Sequence, residues 1–298
     1  MKAVLEFENI SRSFKKGKPV LQDVSFSVNP GEVVGLLGRN GAGKTTLINI
    51  AMGMLRPEQG AVRLFGLSPT NEPVATKKRV GYVCEDQIFP YFSTVERLIA
   101  LHRAAFPTWD TAMEKDLLHR FQLPMKSRIV MLSKGQARQV ALLCAVCHRP
   151  ELLILDEPAS GLDPVARREF LETSVRLLNS EGTAILFSSH NMTDVERIAN
   201  RIVLLNDGKV QLDRQLDSIR EEICVAIVPC ASVSDPGVIE RMPGCLQVRQ
   251  VFDDWHAVVE GSPEAVHVRI AAAIGRNGVR CVSVPLEELF IELLGGDR

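Results

Sequence analysis

The sequence predicts an α/β domain with a parallel sheet at its centre, followed by a smaller α+β domain. Continuous apolar runs at 33–37, 152–155 and 184–187 are typical of strands that are covered on both faces, as in parallel sheets. Between about 89 and 150 the apolar spacing is helical, which predicts a helical subdomain inserted into the first domain. After about Asp213 short alternating segments replace the continuous runs, so a second domain is expected there.

The N-terminal region predicts an antiparallel β part, which makes the sheet system of the first domain mixed. Residues 3–10 and 20–28 alternate apolar and polar side chains, as half-buried strands do. Residues 15–19 between them have the composition of a turn.

Three helices are predicted in the helical subdomain at 89–150. The first opens at 93–96, where Ser93 and Glu96 have the spacing of a capping box, and it runs toward Ala105. The others are expected at 111–121 and at 133–148.

The boundary between the two predicted domains follows a hairpin signal. Asp207-Gly208 stands between two apolar segments and has the residues that a two-residue hairpin turn prefers. We therefore expect domains at 1–213 and 214–298. In the second, strands are predicted at 223–228, 246–252, 256–260 and 279–284, and helices at 264–274 and 286–294.

Composition and charge exclude several classes of protein. The 298 residues carry 35 Lys plus Arg and 36 Asp plus Glu, so bulk charge does not attract nucleic acid, and no nucleic-acid partner is expected. The most apolar stretch, 140–147, is far shorter than the roughly 20 residues of a membrane-spanning helix. Glu6 comes too early for a signal peptide. Seven scattered cysteines indicate a reducing compartment, and the cytoplasm is expected.

Residues 38–45, which we call the cradle, fit the phosphate-binding pattern G-x-x-x-x-G-K-[ST] between an apolar strand and a helix. Glycines in such a loop let successive backbone N–H groups surround an anion, and the helix N-terminus adds its dipole. Lys44 would reach the β- and γ-phosphates, and the Thr45 hydroxyl would ligate Mg²⁺. The residues predicted to bind nucleotide here are Gly38, Asn40, Gly41, Ala42, Gly43, Lys44, Thr45 and Thr46.

Asp156 and Glu157 follow the second apolar run directly, and Ser188-Ser189-His190 follow the third. In an open α/β sheet ligands bind at the carboxyl ends of the strands, so the cradle and both polar clusters are expected at one site. Asp156 is the predicted Mg²⁺ residue. Glu157 is the predicted general base that activates water for hydrolysis.

Residues 132–136, Leu-Ser-Lys-Gly-Gln, resemble the Leu-Ser-Gly-Gly-Gln signature of ABC-transporter ATPase subunits. We call these residues the signature. Residues 160–163 resemble that family's D-loop, and His190 its switch histidine. The resemblance covers about 3–213 and implies a P-loop ATPase that uses ATP and Mg²⁺. It also implies two subunits that enclose two ATP molecules between the cradle of one and the signature of the other.

The resemblance assigns further site residues. Ser133, Gly135, Gln136 and Asp163 are expected at the nucleotide that the partner's cradle holds. His190 is expected to contact the γ-phosphate and to hold Glu157 in place, which makes Glu157, His190 and Lys44 the predicted catalytic residues.

Three features leave alternatives open. Phe14 resembles the aromatic residue that stacks on adenine, or it is a core phenylalanine. Glu85 stands where the family has a glutamine that senses Mg²⁺ and water, although Gln87 is two residues away. Cys144 and Cys147 have C-x-x-C spacing, but their apolar neighbours favour core packing over a zinc site.

The resemblance implies an ATPase subunit that powers a separate integral-membrane permease from the cytoplasmic face of the membrane, as a peripheral protein. Lys134, where the family has glycine, and the segments 106–110 and 286–290 resemble bacterial exporters. The second ATPase subunit is a copy of this chain or a paralogue. A non-transport ABC ATPase is the alternative, and the second domain is open to a role as a ligand sensor.

Overall fold

The computed structural model describes residues 2–15, 18–85, 89, 93–179, 182–233, 235–274 and 278–294. The chain divides into two units, Met1–Asp213 and Arg214–Arg298. Along the described ranges, no helix has the length and hydropathy needed to cross a bilayer.

In the described part of the chain the first unit contains nine strands, the last of which ends two residues beyond it, seven α-helices and a 3₁₀ helix (Ile129–Met131). The strands are β1 (Leu5–Lys15), β2 (Lys18–Val28), β3 (Val33–Leu37), β4 (Gln59–Leu64), β5 (Val80–Val83), β6 (Leu152–Leu155), β7 (Ala184–Ser189), β8 (Arg201–Asn206) and β9 (Lys209–Gln215). The helices are α1 (Lys44–Ala51), α2 (Pro73–Lys77), α3 (Val95–Ala105), α4 (Thr111–Phe121), α5 (Lys134–Val146), α6 (Pro164–Asn179) and α7 (Met192–Ile198).

The larger sheet has the strand order β5-β6-β7-β3-β8-β9, and its pairs from β5 to β8 are parallel. Every residue of β3, β6 and β7 is buried, which confirms the prediction drawn from the continuous apolar runs. Leu37 pairs with Ser189, and Leu155 pairs with Phe187. This register brings the residues that follow β3, β6 and β7 to one edge of the sheet. The predicted α/β fold with a mixed sheet system is confirmed.

The smaller sheet of the first unit is antiparallel, in the order β2-β1-β4. β1 and β2 extend further toward each other than predicted, and residues 16–17 of the predicted turn lie outside the described residues. Asn9 and Asp23 have positive φ angles of 52° and 53° near shifts in the register between β1 and β2. These irregularities explain why the alternation of apolar and polar side chains is interrupted there. One apolar core lies between this sheet, α1 and one face of the larger sheet.

The helical subdomain contains α3, α4 and α5, as predicted. One detail of the prediction is wrong, because the N-cap of α3 is Thr94 and not Ser93. The Thr94 hydroxyl accepts a hydrogen bond from the Arg97 N–H, whereas the Ser93 hydroxyl donates to the Thr94 carbonyl. The helix therefore begins one residue later than the Ser93–Glu96 spacing suggested.

The hairpin signal at Asp207-Gly208 is confirmed. The two residues join β8 to β9 with φ angles of 46° and 76°, the left-handed conformations of a type I′ turn.

The second unit is an α+β fold, as predicted. Its elements are α8 (Leu216–Glu222), β10 (Ile223–Pro229), α9 (Gly237–Glu240), β11 (Cys245–Val251), β12 (Asp254–Glu260), α10 (Pro263–Ile274), β13 (Arg280–Val282) and α11 (Leu286–Leu294). From β10 to β13 the order β-α-β-β-α-β and the sheet order β11-β12-β10-β13 give the split βαβ arrangement. α9 and α10 pack on the sheet face of Cys224, Ala226 and Val228.

Candidate functional site

The cradle is the loop between β3 and α1, and its glycines are required by geometry. Gly43 is the N-cap of α1 with a φ of 106°, and Gly41 has a φ of 86°. At Gly38 a Cβ atom would lie 2.4 Å from the carbonyl oxygen of Leu205 on β8. The chain therefore turns tightly at the end of β3, and α1 begins with its N-terminus toward the loop.

Lys44 lies inside this loop. Its side chain is 6% exposed, and its Nζ donates hydrogen bonds to the carbonyl oxygens of Gly38 at 2.7 Å and Arg39 at 3.3 Å. The same Nζ forms an ion pair with Glu157 Oε1 at 3.1 Å. A buried ammonium group that a loop holds in this way provides a fixed positive charge for an anion.

The other residues predicted in the cradle differ in exposure. Asn40, Gly41 and Thr45 are exposed, Thr46 is half-buried, and Ala42 is buried. The Ala42 N–H donates to the Arg39 carbonyl at 3.1 Å, which closes the loop on itself.

Thr45 and Asp156 form the part of the site that fits Mg²⁺. The Thr45 hydroxyl lies 3.3 Å from Asp156 Oδ1, and the Ser188 hydroxyl donates to the same oxygen at 2.7 Å. Burial raises the pKa of Asp156 above its ordinary value, although both hydrogen bonds act in the opposite direction. A hydroxyl and a carboxylate beside a phosphate-binding loop are the oxygen donors that Mg²⁺ prefers.

Glu157 links the cradle to the third polar cluster. Its carboxylate is buried, with Oε2 2.9 Å from His190 Nδ1 and Oε1 in the ion pair with Lys44. Its backbone has a φ of 44°, and its N–H donates to the Ser188 hydroxyl at 2.8 Å. A non-glycine residue in this strained conformation persists only where its surroundings hold it, and here the Ser188 hydroxyl of β7 bonds its backbone. The geometry holds a carboxylate beside a histidine at the edge where the cradle opens.

The structure thus brings Lys44, Thr45, Asp156, Glu157 and His190 together, as the sequence predicted. Sequence reasoning missed the role of Ser188, whose one hydroxyl bonds both the Asp156 side chain and the Glu157 backbone. The sequence signal for this role was the position of Ser188 directly after the apolar run at 184–187.

The signature lies at the start of α5. Ser133 is the N-cap, and its hydroxyl accepts from the Gln136 N–H at 3.2 Å, while Gln136 Oε1 accepts from the Ser133 N–H at 3.1 Å. Ser133 and Lys134 are exposed, and Gly135 and Gln136 are half-buried. A Cβ atom on Gly161 of the D-loop would lie 3.9 Å from Lys134 Nζ. The helix start is therefore ordered by its own capping box and open at the surface.

Asp163 caps the helix that follows the D-loop. Its Oδ1 accepts hydrogen bonds from the N–H groups of Val165 and Ala166, both at 3.0 Å. The residue is itself exposed, so this structural role leaves it accessible.

Phe14 is 60% exposed, which excludes the alternative of a core phenylalanine. The Arg12 guanidinium lies 5.3 Å from the centre of its ring. The ring is exposed although Arg12 lies over it, and adenine stacking stays a prediction.

Glu85 is exposed after the end of β5, and Gln87 lies outside the described residues.

Cys144 and Cys147 are buried, and burial raises the pKa of the Cys147 thiol to about 12. Within the described ranges, no group of three or more His, Cys, Asp and Glu residues forms a metal site. The interpretation of these two cysteines as core residues is confirmed.

Comparisons with known proteins agree with this geometry. Residues 21–160 match the model of the ABC transporter family. The chain is 32% identical over 295 residues to the ABC transporter ATP-binding protein YtrB of Bacillus subtilis, covering 99% of each chain. It is 31% identical over 302 residues to the Nod factor export ATP-binding protein I of Rhizobium etli, covering 98% of this chain and 93% of that one. A solved ATP-binding subunit of an ABC transporter superposes with a TM-score of 0.66 at 33% identity, over 73% of this chain and 92% of that one.

Proposed function

This chain belongs to the ATP-binding proteins of ABC transporters, a family of ATPases, and we propose that it powers export through a separate membrane permease. Export rests on a similarity given below, whereas the observation that carries the proposed ATP hydrolysis is the cluster at one edge of the larger sheet. There Lys44, Asp156, Glu157 and His190 meet at the carboxyl ends of β3, β6 and β7.

The cradle binds the phosphates of ATP. Backbone N–H groups at the start of α1 face the anion, and Lys44 adds a positive charge that the loop carbonyls hold in place. Thr45 and Asp156 are the residues that would hold Mg²⁺, which neutralises charge on the β- and γ-phosphate oxygens when it is bound. We assign Glu85 to the sensing of this region from the end of β5, and Phe14 to the adenine ring.

Glu157 accepts a proton from water as the water attacks the γ-phosphate. A carboxylate is suited to this step when its position is fixed, because the proton then moves to a defined oxygen. His190 and the Ser188 hydroxyl fix Glu157 through its side chain and its backbone. The ion pair to Lys44 adds a third contact. His190 is itself partly exposed, so it is available to hydrogen-bond the γ-phosphate.

Two subunits complete the site. The signature presents the N-terminus of α5 at the surface, with Ser133 as its first hydroxyl. A helix N-terminus attracts anions, so it suits the γ-phosphate of a nucleotide held by another cradle. Gly135, Gln136 and Asp163 lie at this same surface. Closure therefore depends on the γ-phosphate, and ADP does not support it.

Export through a permease rests on the similarity to a relative named for Nod factor export over nearly the whole chain. In this proposal a separate permease supplies the membrane pathway. The chain would then act as a peripheral subunit at the cytoplasmic face of the membrane.

Two measurements test this function. The purified chain should release phosphate from ATP in the presence of Mg²⁺, and it should co-purify with a multi-span membrane protein. A chain that hydrolyses ATP but associates with no membrane protein would instead belong to the non-transport ATPases of the same family.

A further inference from the structure

Arg138 on α5 makes a contact that the site described so far does not use. The residue is 7% exposed, although arginine is rarely buried unless its charge is paired. Nη1 donates a hydrogen bond to the carbonyl oxygen of Cys84, and Nη2 donates one to the carbonyl oxygen of Glu85. One guanidinium group thus holds two successive backbone carbonyls.

These carbonyls belong to the segment that leaves β5. The last residue of that strand, Val83, pairs with Leu155, and its carbonyl accepts from the Asp156 N–H at 2.8 Å. Beyond this point the chain leaves the sheet, and Arg138 supplies hydrogen bonds to its first two carbonyls. The planar fork of arginine suits two acceptors at once, whereas lysine offers only a point charge.

Arg138 also stands close to the signature along a rigid element. It follows the N-cap Ser133 by five residues, which places it about 7.5 Å along the axis of α5. α5 contains 13 residues and has a complete capping box, so Ser133 and Arg138 move together. The backbone of Glu85 is therefore fixed to the helix that Ser133 caps.

From this arrangement we infer that Arg138 is a positioning residue that couples the two nucleotide sites of a dimer. The inference rests on the proposed function. Glu85 is assigned to the nucleotide in the chain's own cradle, and Ser133 to the nucleotide in the partner's cradle. Because Arg138 joins the two through one rigid helix, occupation of one site changes the position of the residues that complete the other.

The coupling has a measurable consequence. Two sites that share a positioning contact bind ATP cooperatively, and couplings between sites are typically about 5- to 150-fold in affinity. The two hydrogen bonds of Arg138 described here go to the carbonyls of Cys84 and Glu85, which follow β5 and lie outside the cradle sequence. Loss of the Arg138 side chain should therefore leave the binding of ATP to a single chain unchanged while it weakens ATP-driven dimerisation.

The test compares Arg138→Met with Arg138→Lys in the full chain. Arg97→Met is the matched control, because Arg97 is an exposed arginine on α3 of the same helical subdomain. For each variant we would measure the Kd of a fluorescent ATP analogue, the Hill coefficient of ATP hydrolysis and the thermal midpoint. In a Glu157→Gln background we would also measure the ATP concentration that gives half-maximal dimerisation.

We expect Arg138→Met to retain the Kd of the single chain, to lower the Hill coefficient toward one and to raise the half-maximal concentration about tenfold. Arg138→Lys should retain part of the coupling, since its ammonium group still donates to one of the two carbonyls. If Arg138→Met matches Arg97→Met in cooperativity and dimerisation, the positioning role assigned to Arg138 is wrong. The assigned role is also contradicted if Arg138→Met loses dimerisation only because the variant is less stable, as the fall in its thermal midpoint would show. A wild-type chain that neither hydrolyses ATP nor dimerises contradicts the proposed function instead.

Discussion

The cradle and the signature are both predicted to face phosphate. They differ in how far their polar side chains are buried and bonded within the same chain. At the cradle, Lys44, Asp156 and Glu157 are buried and bonded to neighbours in the same chain. At the signature, Ser133 and Lys134 are exposed, and the capping box of α5 is the ordered feature. The first region is a cluster assembled within one chain, and in the proposed mechanism the second is a surface that a second molecule completes.

This difference separates two kinds of substitution. Changes at the cradle should alter what one chain does with ATP, whereas changes at the signature should alter only what two chains do together. The predictions below use this contrast, and they begin with the largest expected effect.

Glu157→Gln should lower the rate of ATP hydrolysis by about 10²- to 10⁴-fold, since the amide does not accept the proton from water. ATP binding should be retained, because the phosphate contacts of the cradle remain. Steady-state phosphate release and nucleotide binding measure the two effects. Glu169→Gln, an exposed position on α6, is the control. Hydrolysis at the normal rate in Glu157→Gln would refute the assigned base.

Lys44→Ala should weaken ATP binding by a single chain about 10- to 100-fold, because it removes a charge-assisted contact to phosphate. Binding of a fluorescent ATP analogue measures this loss, and the exposed Lys78→Ala provides the control. If Kd did not change, the cradle would not be the phosphate site.

Ser133→Asp and Ser133→Asn form a matched pair at the signature. Both residues are good helix N-caps, so both variants should keep the thermal midpoint of the wild type. Only aspartate adds a negative charge that repels the γ-phosphate. We expect Ser133→Asp to bind ATP normally as a single chain but to lose ATP-driven dimerisation, as seen by light scattering. Equal dimerisation of the two variants would remove the contrast between cradle and signature.

Removal of residues 216–298 should have the smallest effect on ATP binding and basal hydrolysis. The truncation keeps all of β9, and every residue of the proposed site belongs to the first unit. Phosphate release by the truncated and full chains checks this expectation. A large loss of hydrolysis in a truncated chain that remains folded would show that the second unit acts on the site.

The sequence predicted the assembled half of the site well because its signals are local. The cradle pattern, the apolar runs and the polar residues after them define both the residues and their common edge. β4, by contrast, begins with Gln59 and Gly60, both exposed, and burial alternates only over its last four residues, so it was not predicted. The N-cap of α3 was misplaced by one residue because Ser93 and Thr94 are both good caps.

The contacts of Ser188 and Arg138 were beyond sequence reasoning for a different reason. Each joins segments that are far apart in the chain, 31 residues for Ser188 with Glu157 and 54 residues for Arg138 with Cys84. Such contacts depend on the register of the sheet and on how α5 packs beside β5. The residue types alone do not specify them.

The central claim is that ATP joins an assembled cradle to an exposed signature on another chain. The most direct test is the mass of the Glu157→Gln chain by light scattering with saturating ATP and Mg²⁺, compared with ADP. The claim predicts a dimer with ATP and a monomer with ADP. A chain that stays monomeric with ATP, both alone and with its membrane partner, would contradict it.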